Sequence, residues 1–282
     1  MKVKFWGTRG SIAVPGRDTI KYGGNTTCVE VMLEGDIRVI IDAGTGIRPL
    51  GESLEPLRPN LDIYLLITHI HWDHILGFPF FEPVYWKNCR INIDGAPTCM
   101  KGLRYPFDNM MGDGFFPVKF HELNAQINYL DRLRHGPLVL GDTVVVEKID
   151  LQHPQGGYGF KFKQGNKTLV FISDNELRLD GWRGQTVKDF VRFSEGADLL
   201  IHDSQYLPEE MEAKKGWGHS DYLTVLDTGI QAGVGRLVLF HHDPSRKDSQ
   251  LDEIVATCKK KAKERGTSLE IDAAREGETI EV

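Results

Sequence analysis

The chain has 282 residues, of which 40% are hydrophobic, and this is enough to bury a substantial core. It carries 34 lysines and arginines against 40 aspartates and glutamates, so the formal net charge is −6, with no acidic or basic tail. The composition indicates a globular protein. It gives no support to a nucleic-acid groove, although a local groove that uses bound cations stays open.

No run approaches the roughly eighteen apolar residues of a membrane span, and the first ten residues, MKVKFWGTRG, lack an apolar signal region. The expected location is therefore the cytoplasm. The four cysteines, Cys28, Cys89, Cys99 and Cys258, form no CxxC motif and no close pair. We expect reduced, buried thiols rather than disulfides or a zinc knuckle.

Strands are the main prediction for the first 70 residues, at 2–7, 28–33, 37–44 and 61–69, joined by glycine-rich turns. Further strands are predicted at 141–153, 158–164, 168–174, 197–204 and 235–243. Helical patterns cover 187–196, 219–233 and 251–266, and each ends in a glycine typical of a helix C-cap. Two groups of strands with helices between them predict an α/β sandwich of two sheets with helices outside.

The chain shows no repeat and no low-complexity linker, so we predict one domain over residues 1–282. Residues 97–119, PTCMKGLRYPFDNMMGDGFFPVK, mix glycine, methionine and aromatic residues without a period. This predicts a long loop, and loops of this length are usually functional, so a lid is expected. A surface excursion that covers a sheet edge is the alternative.

The motif THIHWDH, residues 68–74, follows the apolar run IYLLI and crowds three histidines and an aspartate into six positions. His69 and His71 lie two apart and project to the same side of an extended strand end, while Asp73 and His74 follow where the chain turns into a helix. Imidazole and carboxylate donors without thiolates suit zinc, manganese or iron in a catalytic site with an open position.

THIHWDH resembles the HxHxDH signature of the metallo-β-lactamase superfamily, and the resemblance covers nearly the whole chain. IIDAGTG resembles the first motif of that family, with Asp42, and LQHPQGGYGF supplies His153 where a third histidine is expected. LVFISDNE supplies Asp174 as the metal-bridging aspartate, and RLVLFHHD supplies His241 as the last histidine. The resemblance implies a four-layer αββα sandwich.

The resemblance also implies two divalent metal ions, with zinc preferred over manganese or iron. Their ligands would be His69, His71 and His153 for one ion, and Asp73, His74 and His241 for the other, with Asp174 and a water or hydroxide as bridges. His242 competes with His241, which is preferred because the apolar strand LVLF runs directly into it.

Within the superfamily, GHSDYLTVLDTGIQAGVGRLVLFHHDP is similar to the phosphodiesterase and ribonuclease Z-like branch, in which a histidine followed by serine or threonine opens a helix near the metals. Here that pair is His219 and Ser220. Two ions would lower the pKa of a bridging water so that hydroxide forms near neutral pH, neutralise phosphate oxygens and align an in-line attack. Asp73, or alternatively Asp174, would accept the proton, and His219 would assist the leaving alkoxide. The alternative for this segment is that Ser220 caps the helix and His219 is merely adjacent.

Ser220 and Tyr158 are expected to contact the substrate. Tyr158 would stack on a base together with Phe107, Phe115 and Phe116, although core packing is the commoner role of such aromatic residues.

The favoured function is a binuclear metal-dependent phosphodiesterase that acts on a small or cyclic, nucleotide-like phosphodiester. A ribonuclease Z-like tRNA 3′ endonuclease is an alternative, but that branch carries a basic, glycine- and proline-rich arm, and residues 97–119 are aromatic with few basic residues. Lactone or β-lactam hydrolysis and a mononuclear iron redox or metal-binding module are further alternatives. The expected partner is a small phosphodiester; nucleic acid is not favoured, and a homodimer is left open.

Overall fold

The computed structural model describes residues 1–96, 104–112, 114, 116–179, 181 and 184–282. Strands in these residues are β1 (Lys2–Gly7), β2 (Cys28–Met32), β3 (Arg38–Ile41), β4 (Leu61–Ile67), β5 (Cys89–Gly95), β6 (Gln126–Tyr129), β7 (Leu138–Leu140), β8 (Val144–Asp150), β9 (Tyr158–Gln164), β10 (Lys167–Ile172), β11 (Leu199–Asp203), β12 (Arg236–Phe240), β13 (Glu270–Ala273) and β14 (Thr279–Glu281). The α-helices are α1 (Ile47–Ser53), α2 (Trp72–Ile75), α3 (Arg104–Met110), α4 (Val187–Ser194), α5 (Tyr222–Ala232) and α6 (Asp248–Glu264).

The predicted strands correspond to β1–β4 and β8–β12, and the predicted helices to α4–α6. The glycines predicted to end these helices, Gly196, Gly233 and Gly266, have φ values of 63°, 63° and 68°. This left-handed conformation is the one in which glycine ends a helix at little steric cost.

The strands form two mixed sheets of the same design. The first sheet has the order β14-β1-β2-β3-β4-β5-β6, and the second has the order β13-β12-β11-β10-β9-β8-β7. In the first sheet the pairs from β14 to β3 are antiparallel and those from β3 to β6 are parallel. In the second sheet β7–β10 pair antiparallel and β10–β13 pair parallel. Each sheet therefore has a parallel half whose carboxyl edge can carry a site.

Three apolar layers hold the sandwich together. The inner layer joins the facing sides of both sheets, for example Phe5 of β1 and Phe171 of β10. A second layer packs α1–α3 on the outer face of the first sheet, and a third packs α4–α6 on the outer face of the second. The four-layer αββα architecture expected from the sequence is confirmed.

Residues 97–119 differ in part from the predicted loop, because their described part contains α3. Phe107 of this helix is buried, and its ring lies 4.2 Å from that of Phe78. Phe116 is partly buried and packs on the same layer. Both rings are thus part of the protein's own packing. Residues 97–103, 113 and 115, and with them Phe115 and Cys99, lie outside the described residues. The lid stays a prediction, as does the single domain.

Candidate metal centre and active site

The site is anchored by Asp42, the residue that directly follows β3. Its carboxylate accepts hydrogen bonds from the Thr68 N–H at 2.7 Å and the Thr68 hydroxyl at 2.8 Å, and it lies 2.8 Å from His74 Nδ1. All three residues are buried. Asp42 therefore fixes the turn after β4, on which the THIHWDH motif lies, and orients the His74 ring.

His69, His71 and His153 form what we call the three-histidine cluster. His71 Nδ1 lies 3.1 Å from His69 Nε2 and 3.0 Å from His153 Nε2. The other ring nitrogens of His71 and His153 face hydrogen-bond acceptors. His71 Nε2 lies 2.8 Å from the Gln155 side-chain oxygen, and His153 Nδ1 lies 3.0 Å from the Gly218 carbonyl. These contacts favour the tautomers that turn three unprotonated nitrogens toward one point.

Asp73, His74, Asp174 and His241 form what we call the carboxylate cluster, and all four are buried. Asp73 Oδ2 lies 3.3 Å from His74 Nε2 and 3.2 Å from His241 Nε2, and it accepts the Ser11 N–H at 2.7 Å. His241 Nδ1 lies 2.9 Å from the Gln205 side-chain oxygen. In each cluster the donor atoms lie within 4.8 Å of one another.

Asp174, at the carboxyl end of β10, faces both clusters. Its Oδ1 lies 3.7 Å from His69 Nε2 and 4.0 Å from His153 Nε2, whereas its Oδ2 lies 3.2 Å from His74 Nε2 and 3.3 Å from His241 Nε2. One carboxylate therefore lies between two groups of donors, where a shared ligand would be placed.

The backbone around the site is held in an unusual conformation. Three residues that come one or two positions after a strand have positive φ values, which are 63° for Asp42, 49° for Asp174 and 57° for His241. Ser11 and Gln155 also have positive φ. Such residues are uncommon outside glycine and concentrate at functional sites, because the surrounding structure must offset the strain. These conformations occur where side chains from both sheets converge on the two clusters.

His219 lies beside both clusters. Its Nδ1 is 3.2 Å from Asp203 Oδ2 and 3.8 Å from Asp174 Oδ1, and its ring stacks on that of His241 with centroids 5.1 Å apart. Asp203, at the end of β11, also accepts the backbone N–H groups of Asn175 and Ser220. Burial would lower the pKa of His219, but the Asp203 carboxylate outweighs it and raises the pKa to about 8.

The surroundings of the two clusters shift the pKa values of their histidines in opposite directions. Burial lowers the pKa of His69 well below its usual value and that of His153 to about 3, so both imidazoles are neutral. At His74 burial would lower the pKa, but the nearby carboxylates, Asp73 first, raise it well above its usual value. For Asp174 burial would raise the pKa, but the surrounding imidazoles hold it well below the usual range.

The donors fit a cation. His74 Nε2 is buried and has no hydrogen-bond partner among the described residues, although two carboxylate oxygens lie within 3.3 Å. A buried nitrogen of this kind carries a free-energy cost unless a ligand satisfies it. The donors are imidazole and carboxylate, without thiolate, which suits divalent zinc, manganese or iron.

The predicted metal ligands and His219 thus lie together at one edge of the sandwich. The other residues named in the sequence analysis, His242, Ser220 and Tyr158, are placed differently. His242 points away, because its Nε2 faces the Ala274 carbonyl at 3.0 Å. The Ser220 hydroxyl lies inside the protein, where it donates to the Asn175 carbonyl and accepts the Leu177 N–H, so its substrate contact stays a prediction. Helix α5 is capped by Asp221, not by Ser220.

Tyr158 is the first residue of β9, and its N–H donates to the Thr68 carbonyl at 2.9 Å, so its backbone lies beside the THIHWDH motif. Its ring is buried between the sheets, with Lys148 Nζ 4.0 Å from the ring centroid. In β9 the residues alternate, and Tyr158, Phe160 and Phe162 face the inner core while Lys161 and Lys163 face outward. The ring thus packs in the core, as the period-two alternation of YGFKFKQ indicates, and the substrate contact of Tyr158 stays a prediction.

The sequence analysis missed the residues that support the donors, which are Thr68, Gln155, Glu176 and Gln205. Glu176 is buried and accepts the N–H groups of Gly216 at 3.0 Å and Gly218 at 2.8 Å, which fixes the loop before His219. Its place two residues after Asp174 was a signal in the sequence, whereas the partners of the two glutamines are distant along the chain.

Fold and donors together define a class, the metal-binding hydrolases built on an αββα sandwich. A family model described as beta-lactamase superfamily domain matches residues 37–242. The chain belongs to the metallo-β-lactamase superfamily.

Known proteins resemble the chain over most of its length. The ribonuclease Z of Haloarcula marismortui is 24% identical in an alignment of 291 positions, gaps included, that covers 90% of this chain and 90% of that protein. The metallo-beta-lactamase fold protein YhfI from Bacillus subtilis has a TM-score of 0.69 at 19% identity over 99% of both chains. A diphosphatase from the PhnP family has a TM-score of 0.67 at 15% identity, covering 100% of this chain and 97% of the other. At these identities the two structures show the shared fold alone.

Helices in the described residues are all too short or too polar to cross a membrane.

Proposed function

We propose that the chain is a binuclear metal-dependent phosphodiesterase that acts on a small or cyclic phosphodiester. The observation that carries this proposal is the position of Asp174, whose two oxygens face the three-histidine cluster and the carboxylate cluster separately. A single metal site would not need a carboxylate between two complete donor groups. The proposed ligands are His69, His71 and His153 for one ion, and Asp73, His74 and His241 for the other, with Asp174 shared.

Two divalent ions held there, zinc by preference, would supply a nucleophile near neutral pH and neutralise charge on the phosphate. The protein's own residues would handle the protons. Asp73 Oδ2 already accepts the Ser11 N–H, so its other oxygen would take up the proton of the attacking water. Asp203 holds Nδ1 of His219, so this imidazole would donate a proton from Nε2 to the leaving alkoxide.

The Asp203–His219 pair supports hydrolysis of a substrate that releases an alkoxide. Such a leaving group needs a proton donor, and a histidine held by a carboxylate beside both clusters can provide it. The resemblance of the histidine and serine segment to the phosphodiesterase branch agrees with this assignment. A PhnP-family diphosphatase among the structures of the same fold is consistent with a small phosphate ester.

The second candidate is tRNA 3′ processing, favoured by the ribonuclease Z relative that covers 90% of the chain. The opposing observation is the composition of residues 97–119, which are aromatic with few basic residues and so do not resemble the basic arm of that branch. The described part of this segment contains α3, which buried Phe107 packs onto the first sheet next to buried Met111. We therefore rank tRNA 3′ processing second, after hydrolysis of a small phosphodiester. Lactone hydrolysis is ranked lower because the His219 and Ser220 segment resembles the phosphodiesterase branch. A single-iron function is ranked lower because the donors form two groups. The cytoplasmic location stays a prediction.

The test is a substrate panel of bis(p-nitrophenyl) phosphate, cyclic nucleotides, a precursor tRNA with a 3′ trailer, and a lactone. Each is assayed with zinc-loaded wild type and with Asp73→Ala. We expect turnover of the small diesters that the variant lacks. Cleavage of precursor tRNA at the trailer with slow turnover of cyclic nucleotides would move the assignment to the endonuclease, and turnover of the lactone alone would defeat the phosphodiesterase.

A further inference from the structure

Two tryptophans beside the clusters are exposed to an extent that is unusual for indole side chains. The exposed fractions are 64% for Trp72 and 60% for Trp217. Tryptophan usually buries most of its large apolar surface, and large exposed aromatic rings beside a cleft mark a binding surface.

Trp72 is fixed by its place in the chain. It lies between His71 and Asp73, which are donors of different clusters, and its carbonyl accepts the Leu76 N–H at 2.8 Å in the single turn of α2. The His71 carbonyl also accepts the His74 N–H at 3.0 Å. The backbone of Trp72 therefore cannot shift without moving the proposed metal ligands on either side of it.

Trp217 is fixed by a buried carboxylate. Glu176 accepts the N–H groups on both sides of it, from Gly216 and Gly218, and the Trp217 N–H donates to the Lys214 carbonyl at 3.1 Å. Gly218 has a φ of 88°, and a Cβ at this position would lie 2.0 Å from His153 Nδ1. The buried Glu176 carboxylate thus holds the backbone around the exposed Trp217 close to the proposed ligand His153. This placement favours a role for the indole in substrate binding.

The two tryptophans are connected through the three-histidine cluster. His71, next to Trp72, lies 3.0 Å from His153, and His153 lies 3.0 Å from the carbonyl of Gly218, next to Trp217. The indoles therefore stand on two separate segments that meet at the same cluster. We propose that Trp72 and Trp217 form an aromatic entrance that stacks on a planar ring of the substrate.

This inference rests on the proposed phosphodiesterase and narrows its substrate to diesters with a nucleobase or similar aryl group. Stacking of one base on an aromatic side chain changes affinity by roughly 5- to 150-fold. A second copy of the chain is the competing occupant, because exposed Leu76 and Phe80 extend the apolar surface from Trp72. Trp217 belongs to a different segment, so a nucleobase accounts for both indoles.

The experiment measures binding rather than turnover. Adenosine 5′-monophosphate and ribose 5-phosphate share their phosphate and ribose, and calorimetric titration of zinc-loaded protein with each isolates the contribution of the base. We expect wild type to bind the adenosine compound about tenfold or more tightly, and the double variant Trp72→Ala, Trp217→Ala to bind the two within about twofold. The double phenylalanine variant should keep most of the preference.

The matched control is Val139→Ala, an exposed residue of β7, which should leave the preference unchanged. Equal binding of the two compounds by wild type would overturn the aromatic entrance while leaving diester hydrolysis standing. A base preference without hydrolysis of any diester would instead reject the proposed function and keep the entrance. If Trp72→Ala converts a dimer to a monomer in sedimentation without changing the base preference, a second copy covers this surface and the inference is wrong.

Discussion

The three-histidine cluster has no carboxylate of its own and includes the half-buried His71, whereas every donor of the carboxylate cluster is buried and two of the four are aspartates. Each cluster also has one histidine oriented by a glutamine oxygen. Gln155, beside His71, is exposed, and Gln205, beside His241, is buried. A site with negative ligands and a buried support binds a divalent ion more tightly than one with neutral ligands and an exposed support. The two proposed ions should therefore differ in affinity, with the tighter ion in the carboxylate cluster.

The largest effect is expected for Asp174→Ala, because this carboxylate faces both clusters. We expect activity on bis(p-nitrophenyl) phosphate to fall at least about a thousandfold, since several kcal/mol of transition-state stabilisation depend on the pair of ions. Asp198→Ala, directly before β11 and at the edge of the second sheet opposite to Asp174, is the control and should stay near wild type. Activity of Asp174→Ala within tenfold of the control, with folding verified by circular dichroism, would contradict the shared role.

His71→Ala and His74→Ala separate the clusters directly. His71→Ala should retain about one ion per chain after gel filtration in metal-free buffer, because the carboxylate cluster stays complete. His74→Ala should retain less, since it loses a buried donor beside Asp73 and Asp174. Metal analysis by mass spectrometry measures both. Equal retention by the two variants would remove the proposed difference in affinity.

Gln155→Ala and Gln205→Ala form a matched pair, because each removes an amide oxygen within 2.9 Å of an imidazole nitrogen. Each loss should weaken one ion about 10- to 100-fold. Competition with a fluorescent chelator should show Gln155→Ala affecting only the weaker ion and Gln205→Ala only the tighter one. If either variant weakens both metal ions equally, the assignment of Gln155 to one ion and Gln205 to the other is wrong.

The smallest effects concern the stability of the metal-free protein. His153 has a folded pKa of about 3, so its stabilising effect is present above the unfolded value of 6.5 and is lost as the pH falls from 6.5 toward 3. His219 has a folded pKa of about 8, so its effect is present below 6.5 and is lost as the pH rises from 6.5 through 8. Each slope is at most about 1.4 kcal/mol per pH unit.

Urea unfolding at about pH 5.5, pH 6.5 and about pH 8 tests these signs. His153→Gln should flatten the acid side of the stability profile and His219→Gln the alkaline side. Flattening on the opposite side in either variant would show that the assigned pKa direction is wrong.

The donors could be predicted from the sequence because their signals are local. The donors His69, Asp174 and His241 come one or two residues after apolar strands, and the HxHxDH spacing places several donors in one turn. The sequence analysis missed strands β5, β6, β7, β13 and β14. The last four have only three or four residues and too few alternating positions for a pattern. Strand β5, CRINIDG, has seven residues that alternate between apolar and polar, so its signal was in the sequence and was overlooked. Helix α1, IRPLGES, contains proline and glycine, which indicate a turn rather than a helix.

The supports of the donors could not be predicted, because they depend on how the two sheets pack. Gln155 is 84 residues from His71, and Gln205 is 36 residues from His241. No spacing rule links an amide to an imidazole at such separations. The same holds for the segments of Trp72 and Trp217, which are linked because His71 and His153, from different sheets, lie 3.0 Å apart.

The central claim, two unequal ions acting together on a phosphodiester, is tested most directly by titrating the metal-free protein with Zn²⁺. Bound zinc and hydrolysis of bis(p-nitrophenyl) phosphate are measured on the same samples. The account predicts a first ion that binds tightly with little activity and a second, weaker ion whose binding brings activity. Full activity with one ion, or none with two, would contradict it.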